Sequence, residues 1–144
     1  MLSVLWLLAC EGTPTEAPTA SAPAPVAPAP PAAPTRKVAF AQPLDGATVT
    51  SPVTVSMLVE GMEVRRAGDM TDNSGHHHVL IDLGPVPEGQ TIPKDTTHLH
   101  YGGAETEAQV ELTPGPHILT LQFADANHSS YGPAMSQTIA VTVR

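Results

Sequence analysis

The sequence predicts an all-β sandwich that follows an N-terminal leader and a proline-rich spacer. From Arg36 onward, apolar residues recur at every second position in short runs, and residues typical of turns separate these runs. A spacing of two is that of a half-buried strand, whereas a helix would repeat every 3.6 residues. We therefore expect one antiparallel β-sandwich of about seven strands over residues 36–144.

The first ten residues, MLSVLWLLAC, are apolar and end in a cysteine. Leu7 to Cys10 resembles the lipobox of bacterial lipoproteins, in which the cysteine is acylated and becomes the new N-terminus. The stretch is shorter than the about 20 apolar residues that cross a bilayer as a helix. The resemblance implies a membrane anchor at Cys10 and a place in the bacterial cell envelope, facing the periplasm or the exterior. Cys10 is the only cysteine, so we expect no disulfide in the folded part.

Residues 11–35 consist mainly of Pro, Ala and Thr. Such a segment lacks the large apolar side chains of a core, and its prolines favour extended polyproline II. We interpret it as a disordered tether that reaches about 75 Å at about 3.1 Å per residue. The same composition would also suit a tail of no particular length.

Five runs carry the strand pattern most clearly: KVAFA, PVTVSMLVEG, TEAQVEL, HILTLQFAD and SQTIAVTV. In each run alternate apolar side chains share one face, which is then predicted to be the core face. Met57 falls on this face, so we expect it in the core and not at a metal. The predicted inward residues are Val38, Phe40, Val53, Val55, Met57, Val59, Ala108, Val110, Leu112, His117, Leu119, Leu121, Phe123, Ile139, Val141 and Val143.

The segment LTPGPHILTLQFAD narrows the sandwich to an immunoglobulin-like one. It resembles the turn and penultimate strand of those domains, where a tyrosine bonds back to the backbone as the tyrosine corner. His117 occupies that position, and a ring nitrogen can make the same bond. We therefore interpret His117 as a structural residue.

The histidines follow the strand alternation. His76 and His78, in GHHHVLID, share one face of a predicted strand, and His77 points to the other face. His98 and His100, in HLHYGG, repeat this geometry, and His128 lies in a later loop. If the two strands are neighbours, the four imidazoles of these two pairs can meet in one patch, and the loop of His128 is able to reach the rim of the sandwich.

Imidazole nitrogens are good ligands for Zn²⁺ and Cu²⁺, and three or four of them satisfy zinc. Copper or zinc is therefore the cofactor we consider, with Asp82 or Asp125 as carboxylates that could orient the ring nitrogens. A hydrogen-bonded histidine network that fixes a loop is an equally open interpretation. The candidate metal ligands are His76, His78, His98, His100 and His128.

Other function classes find little support. The sequence contains no GxSxG elbow, no HExxH motif and no phosphate-binding glycine loop, so we expect no enzyme. A net charge of −8, with only six Lys and Arg residues, argues against nucleic-acid binding. A structural or protein-interaction module on the same sandwich remains the alternative to a metal-binding module.

GHHHVLID, HLHYGGAETEAQVEL, PGPHILTLQFAD and NHSSYGPAMS together resemble the bacterial domain family DUF4399. The resemblance covers most of residues 75–143, and the histidine triplet before an apolar run is its most specific part. It implies a secreted or lipid-anchored envelope domain without naming an activity.

Overall fold

The computed structural model describes residues 35–144. The predicted lipoprotein signal, with Cys10, and all but the last residue of the predicted tether lie outside the described residues. The described part contains nine strands and a single 3-10 turn, Pro133–Met135. The strands are β1 Lys37–Gln42, β2 Ala47–Val49, β3 Val53–Glu60, β4 Glu63–Val64, β5 Ser74–Ile81, β6 His98–Tyr101, β7 Glu107–Val110, β8 Gly115–Ala124 and β9 Ser136–Val143.

The strands form two sheets, which confirms the predicted all-β sandwich. One sheet has the order β1-β3-β7, and the other has the order β2-β9-β8-β5-β4, with β6 also paired to β5. In immunoglobulin-like terms, β3 and β7 correspond to strands B and E, while β5, β8 and β9 correspond to C, F and G. The predicted immunoglobulin-like topology is therefore present.

Two details differ from the sequence prediction. There are nine strands instead of about seven, because β2 and β4 are only three and two residues long. These two also pair in parallel, β2 with β9 and β4 with β5, within an otherwise antiparallel arrangement. Runs this short carry no visible alternation, so periodicity could not reveal them.

The main core lies between the two sheets. Val55 and Val110 from one sheet and Leu121 and Phe123 from the other are fully buried, and Met57 is 1% exposed, as predicted for a core residue. Leu58, on the opposite face of β3, is 53% exposed. The alternation that predicted the inward faces therefore holds in the long strands.

The outer face of the larger sheet is also covered, by the long connection over residues 82–97. The Thr120 hydroxyl donates to the carbonyl of Leu83 at 2.7 Å, and the Val86 amide donates to the Gln122 side-chain oxygen at 3.1 Å. Leu80, whose side chain lies on this outer face, has no exposed surface. The outer face can therefore hold buried polar side chains, and this is where His76 and His78 lie.

Among the described residues, no helix has the length and apolar character needed to span a membrane.

Candidate metal centre

Two neighbouring strands carry three of the clustered histidines. In the antiparallel pairing of β5 with β6, His78 lies directly opposite His100, and Leu80 lies opposite His98. His76 precedes His78 by two residues and therefore projects from the same face. The inner-facing neighbours Leu99 and Tyr101 pack against the main core, so His100 points outward with His76 and His78.

The fourth histidine of the cluster, His128, comes from the loop after β8. Asp125 shapes this loop, because its Oδ1 accepts the amides of Asn127 and Ser129, each at 2.8 Å. His128 has a φ of 65°, in the left-handed region that few non-glycine residues adopt. Its carbonyl accepts the Ile92 amide at 2.9 Å, so the long connection holds the loop from the other side.

The Nε2 atoms of the four imidazoles form two close pairs. The Nε2 atoms of His76 and His78 are 3.0 Å apart, and those of His100 and His128 are also 3.0 Å apart. One ligand nitrogen from each of His76, His100 and His128 lies within 4.8 Å of the other two. We call His76, His78, His100 and His128 the histidine cluster.

Gly102 makes room for the ring of His100. A Cβ atom built on Gly102 would overlap Cε1 of that ring and lie 2.5 Å from its Nε2. The segment after β4 covers the same place, since the Ala67 amide donates to the Gly102 carbonyl at 3.0 Å and the Gly68 amide to the Ala126 carbonyl at 2.9 Å. The sequence does not single out Gly102, since a Gly-Gly pair after a strand is also typical of an ordinary turn.

Burial keeps His76, His78 and His100 neutral at pH 7. It lowers the pKa of His76 to about 4 and that of His78 to about 2, and the neighbouring imidazoles lower both further. Burial also lowers the pKa of His100, with His128 adding to the shift. An unprotonated ring nitrogen carries the lone pair that a metal needs, so no proton has to leave a charged imidazole before these three side chains coordinate.

The cluster is poorly satisfied as a hydrogen-bond network. His76 and His78 have no exposed surface, and their Nδ1 atoms have no hydrogen-bond partner among the described residues. A neutral imidazole has one N–H and one lone pair, so the His76–His78 bond uses a single proton and leaves two buried ring nitrogens unpaired.

The structure does not bring His98 into the cluster. Its Nδ1 lies 2.9 Å from Oδ1 of Asp95, whose carboxylate also accepts the amides of Thr97 and His98. The strand register places His98 opposite Leu80, one step along the same face from His100. The sequence could not fix this register, and so it could not separate His98 from the ligand set.

His77 points inward, as its place in the triplet predicted. Its ring lies against Phe123 with the centroids 5.0 Å apart, and neither of its nitrogens has a partner among the described residues. Burial lowers its pKa to about 4. His77 is therefore a neutral core side chain on the opposite side of the sheet from the cluster.

His117 makes the bond of the corner motif. Its Nε2 donates to the Thr113 carbonyl at 3.0 Å, and its Nδ1 donates to Oδ2 of Asp82 at 2.8 Å. The hydrogen bond from His117 to Asp82 raises the pKa of His117. Asp82 therefore does not orient a ligand of the cluster, and Asp125 supports His128 through backbone amides instead of a ring nitrogen.

A comparison with known families adds one finding. Residues 55–144 match the sequence model of a family described as a domain of unknown function, DUF4399. The chain belongs to the DUF4399 family. The matched residues include all members of the histidine cluster. No curated protein and no solved structure matches the chain significantly.

Proposed function

We propose that this DUF4399 protein is a lipid-anchored envelope module that binds a transition metal, copper or zinc, through clustered histidines. The observation that carries the proposal is the meeting of His76, His100 and His128, from two strands and a loop, with their ligand nitrogens within 4.8 Å. Three imidazole nitrogens are sufficient protein ligands for such an ion.

The free energies of hydrogen bonding and of zinc binding favour a bound ion over a hydrogen-bond network in the histidine cluster. A net hydrogen bond between neutral groups stabilises by about 0.5–1.5 kcal/mol, and each buried group left unpaired costs about 1–3 kcal/mol. With Nδ1 of both His76 and His78 unpaired, the network alone does not offset its own burial. Binding of a structural zinc ion contributes about 10–16 kcal/mol in small zinc domains, which is ample for that purpose.

The direct test is metal analysis and calorimetry on the purified full-length protein. Zn²⁺ and Cu²⁺ should each bind at one ion per chain, and His76→Ala should lose most of the affinity. Equal heats from the wild type and His76→Ala would remove the cluster from any metal role.

A structural histidine network is the second candidate, because the two Nε2–Nε2 separations of 3.0 Å are also hydrogen-bond distances. This candidate predicts no bound metal. It also predicts that stability is the same with zinc and with a chelator, which the calorimetry and unfolding experiments would show directly.

The anchor rests on Leu7 to Cys10, and it is a proposal from the sequence alone. Labelled palmitate should enter the wild type and not Cys10→Ala, and the variant should leave the membrane fraction. A variant that stays membrane-associated, with no label in the wild type, would rule the anchor out.

A further inference from the structure

The spatial arrangement of the four rings in the histidine cluster identifies the kind of ion that fits. Four rings have six mutual distances. The centroids of His76 lie 4.9, 5.0 and 5.0 Å from those of His78, His100 and His128. The remaining three separations are 5.1 Å for His78–His100, 5.9 Å for His78–His128 and 4.8 Å for His100–His128.

These distances describe a tetrahedron and not a square. A square with sides near 5 Å has two diagonals of about 7 Å, and this is the arrangement that four nitrogens around Cu²⁺ prefer. The longest observed separation is 5.9 Å, and the other five lie between 4.8 and 5.1 Å. A regular tetrahedron has six equal edges, which is close to what the cluster shows.

The size of the tetrahedron also fits one ion. Zinc lies about 2.0–2.1 Å from a histidine nitrogen, which places the ring centroid about 3.2 Å from the ion and tetrahedral centroids about 5.2 Å apart. The six observed separations bracket this value. The same bond length requires Nε2 atoms about 3.3–3.4 Å apart, a few tenths of an ångström beyond the 3.0 Å of the two close pairs. Ligand nitrogens of His76, His100 and His128 already lie within 4.8 Å of one another, and His78, which is outside that group, has to turn its ring toward the other three to complete the shell.

We infer that the cluster is a closed, four-imidazole site for one tetrahedral d¹⁰ ion, with His78 as the fourth ligand and Zn²⁺ as the ion that fits best. This inference rests on the proposed metal-binding function and adds coordination number and ion class to it. Zinc has no geometric preference from its d electrons and is four-coordinate in sites that hold it permanently.

A site with four protein ligands limits what the protein can do with the metal. Catalytic zinc sites have three protein ligands and keep the fourth position for water or substrate. With His78 in that position, the ion has no site at which to activate a water molecule. The cluster therefore holds or carries zinc, or stabilises the domain with it, and does not use it for hydrolysis.

The experiment uses Co²⁺ as a visible probe in the full-length protein, with zinc competition for affinity. The wild type should show the intense visible absorption of tetrahedral Co²⁺. His78→Ala should show the weaker spectrum of an ion that has gained water. Its zinc affinity should fall by more than tenfold, since even the loss of an outer-shell partner costs about 10- to 100-fold. His78→Gln, which fills more of the buried space, is the second variant and should behave in the same way.

His98→Ala is the matched control, because His98 lies on the same outer face but bonds Asp95. It should keep the spectrum and affinity of the wild type. Circular dichroism establishes that each variant is folded, and a folded His78→Gln protein is enough for the test. A wild type that binds no zinc or Co²⁺ would overturn the proposed function and, with it, this inference. A wild type that binds metal, with an unchanged spectrum and affinity in a folded His78 variant, would overturn the closed site alone.

Discussion

The histidine cluster and His117 place the same side chain in opposite electrostatic environments. In the cluster, imidazoles face one another in a buried space, and burial lowers the pKa of His76 and His78 to about 4 and about 2. His117 donates from both nitrogens, to the Asp82 carboxylate and the Thr113 carbonyl, and the Asp82 bond raises its pKa. Carboxylate and carbonyl oxygens only accept hydrogen bonds, so these contacts favour the protonated form of His117, in line with its raised pKa.

The difference shows what distinguishes a candidate ligand from a scaffold histidine. A ligand needs a free lone pair, and burial keeps His76 and His78 neutral, while ligand nitrogens of His76, His100 and His128 lie close together. A scaffold histidine satisfies both nitrogens with protein acceptors and has no lone pair to offer. His98, bonded to Asp95, and His77, packed on Phe123, lie outside the cluster for two further reasons, strand register and strand face.

The largest expected difference between the two regions is their response to zinc. Free zinc at about 1,000 times its dissociation constant should stabilise the wild type by about 4 kcal/mol, because only the folded chain assembles the site. His117→Ala should keep this gain, whereas His76→Ala should lose it. Urea unfolding with zinc and with a chelator measures both, and a zinc effect that survives in His76→Ala would place the metal elsewhere.

In the metal-free protein, the histidine cluster and His117 should affect the pH dependence of stability in opposite ways. Above the unfolded-state pKa of about 6.5, His76 is neutral in both states and its lowered pKa costs no stability. The free energy of unfolding falls as pH drops toward the lowered pKa of about 4 of His76, because the unfolded chain binds protons that the folded chain does not. We expect a loss on the order of 2 kcal/mol over this window. Unfolding in chelator at a series of pH values measures it, and a flat profile from pH 6.5 to 4 would show that the cluster is not buried as described.

The contribution of His117 to stability should change with pH in the opposite direction. This contribution is fully present below pH 6.5 and is lost as pH rises through the raised pKa of His117. Between these two pKa values the folded chain binds a proton that the unfolded chain has released. His117→Ala should lower stability at pH 6 by about 1 to 2 kcal/mol through the lost hydrogen bonds to Asp82 and Thr113. An unchanged unfolding curve, or a loss of zinc binding, would remove His117 from the scaffold.

Of the expected effects, that of Gly102→Ala should be the smallest. It should lower zinc affinity more than it lowers the free energy of unfolding. The added methyl group meets the tip of the half-buried His100 ring, which can turn aside, so the fold should survive. The displaced nitrogen should weaken zinc binding about fivefold, or about 1 kcal/mol. Gly84→Ala is the control, since a Cβ at Gly84 meets nothing within 4 Å. Equal zinc affinity in both variants would show that the space at Gly102 is not needed for the site.

Alternation in the sequence was enough to predict the sandwich and the face of each long strand. It separated His77 from His76 and His78, because a period of two assigns neighbours to opposite faces. It could not separate His98 from His100, since both occupy the same face and only the pairing of β5 with β6 distinguishes them. That register depends on long-range contacts.

The covering of the outer face was also beyond the sequence. Residues 82–97 have no periodicity, and nothing in them predicts the bonds from Thr120 to Leu83 or from Val86 to Gln122. Without this cover, one would expect His76 and His78 to be exposed surface residues. Their burial, which lowers the pKa of both side chains, is therefore a tertiary property.

X-ray absorption of the zinc-loaded full-length protein tests the central claim most directly, because it counts the atoms bound to the ion. We expect one zinc per chain with four imidazole nitrogens at about 2.0–2.1 Å. We also expect the same spectrum in His98→Ala and a nitrogen replaced by water oxygen in His78→Ala. A first shell dominated by oxygen, or one that His76→Ala leaves unchanged, would contradict the claim that the histidine cluster holds the metal.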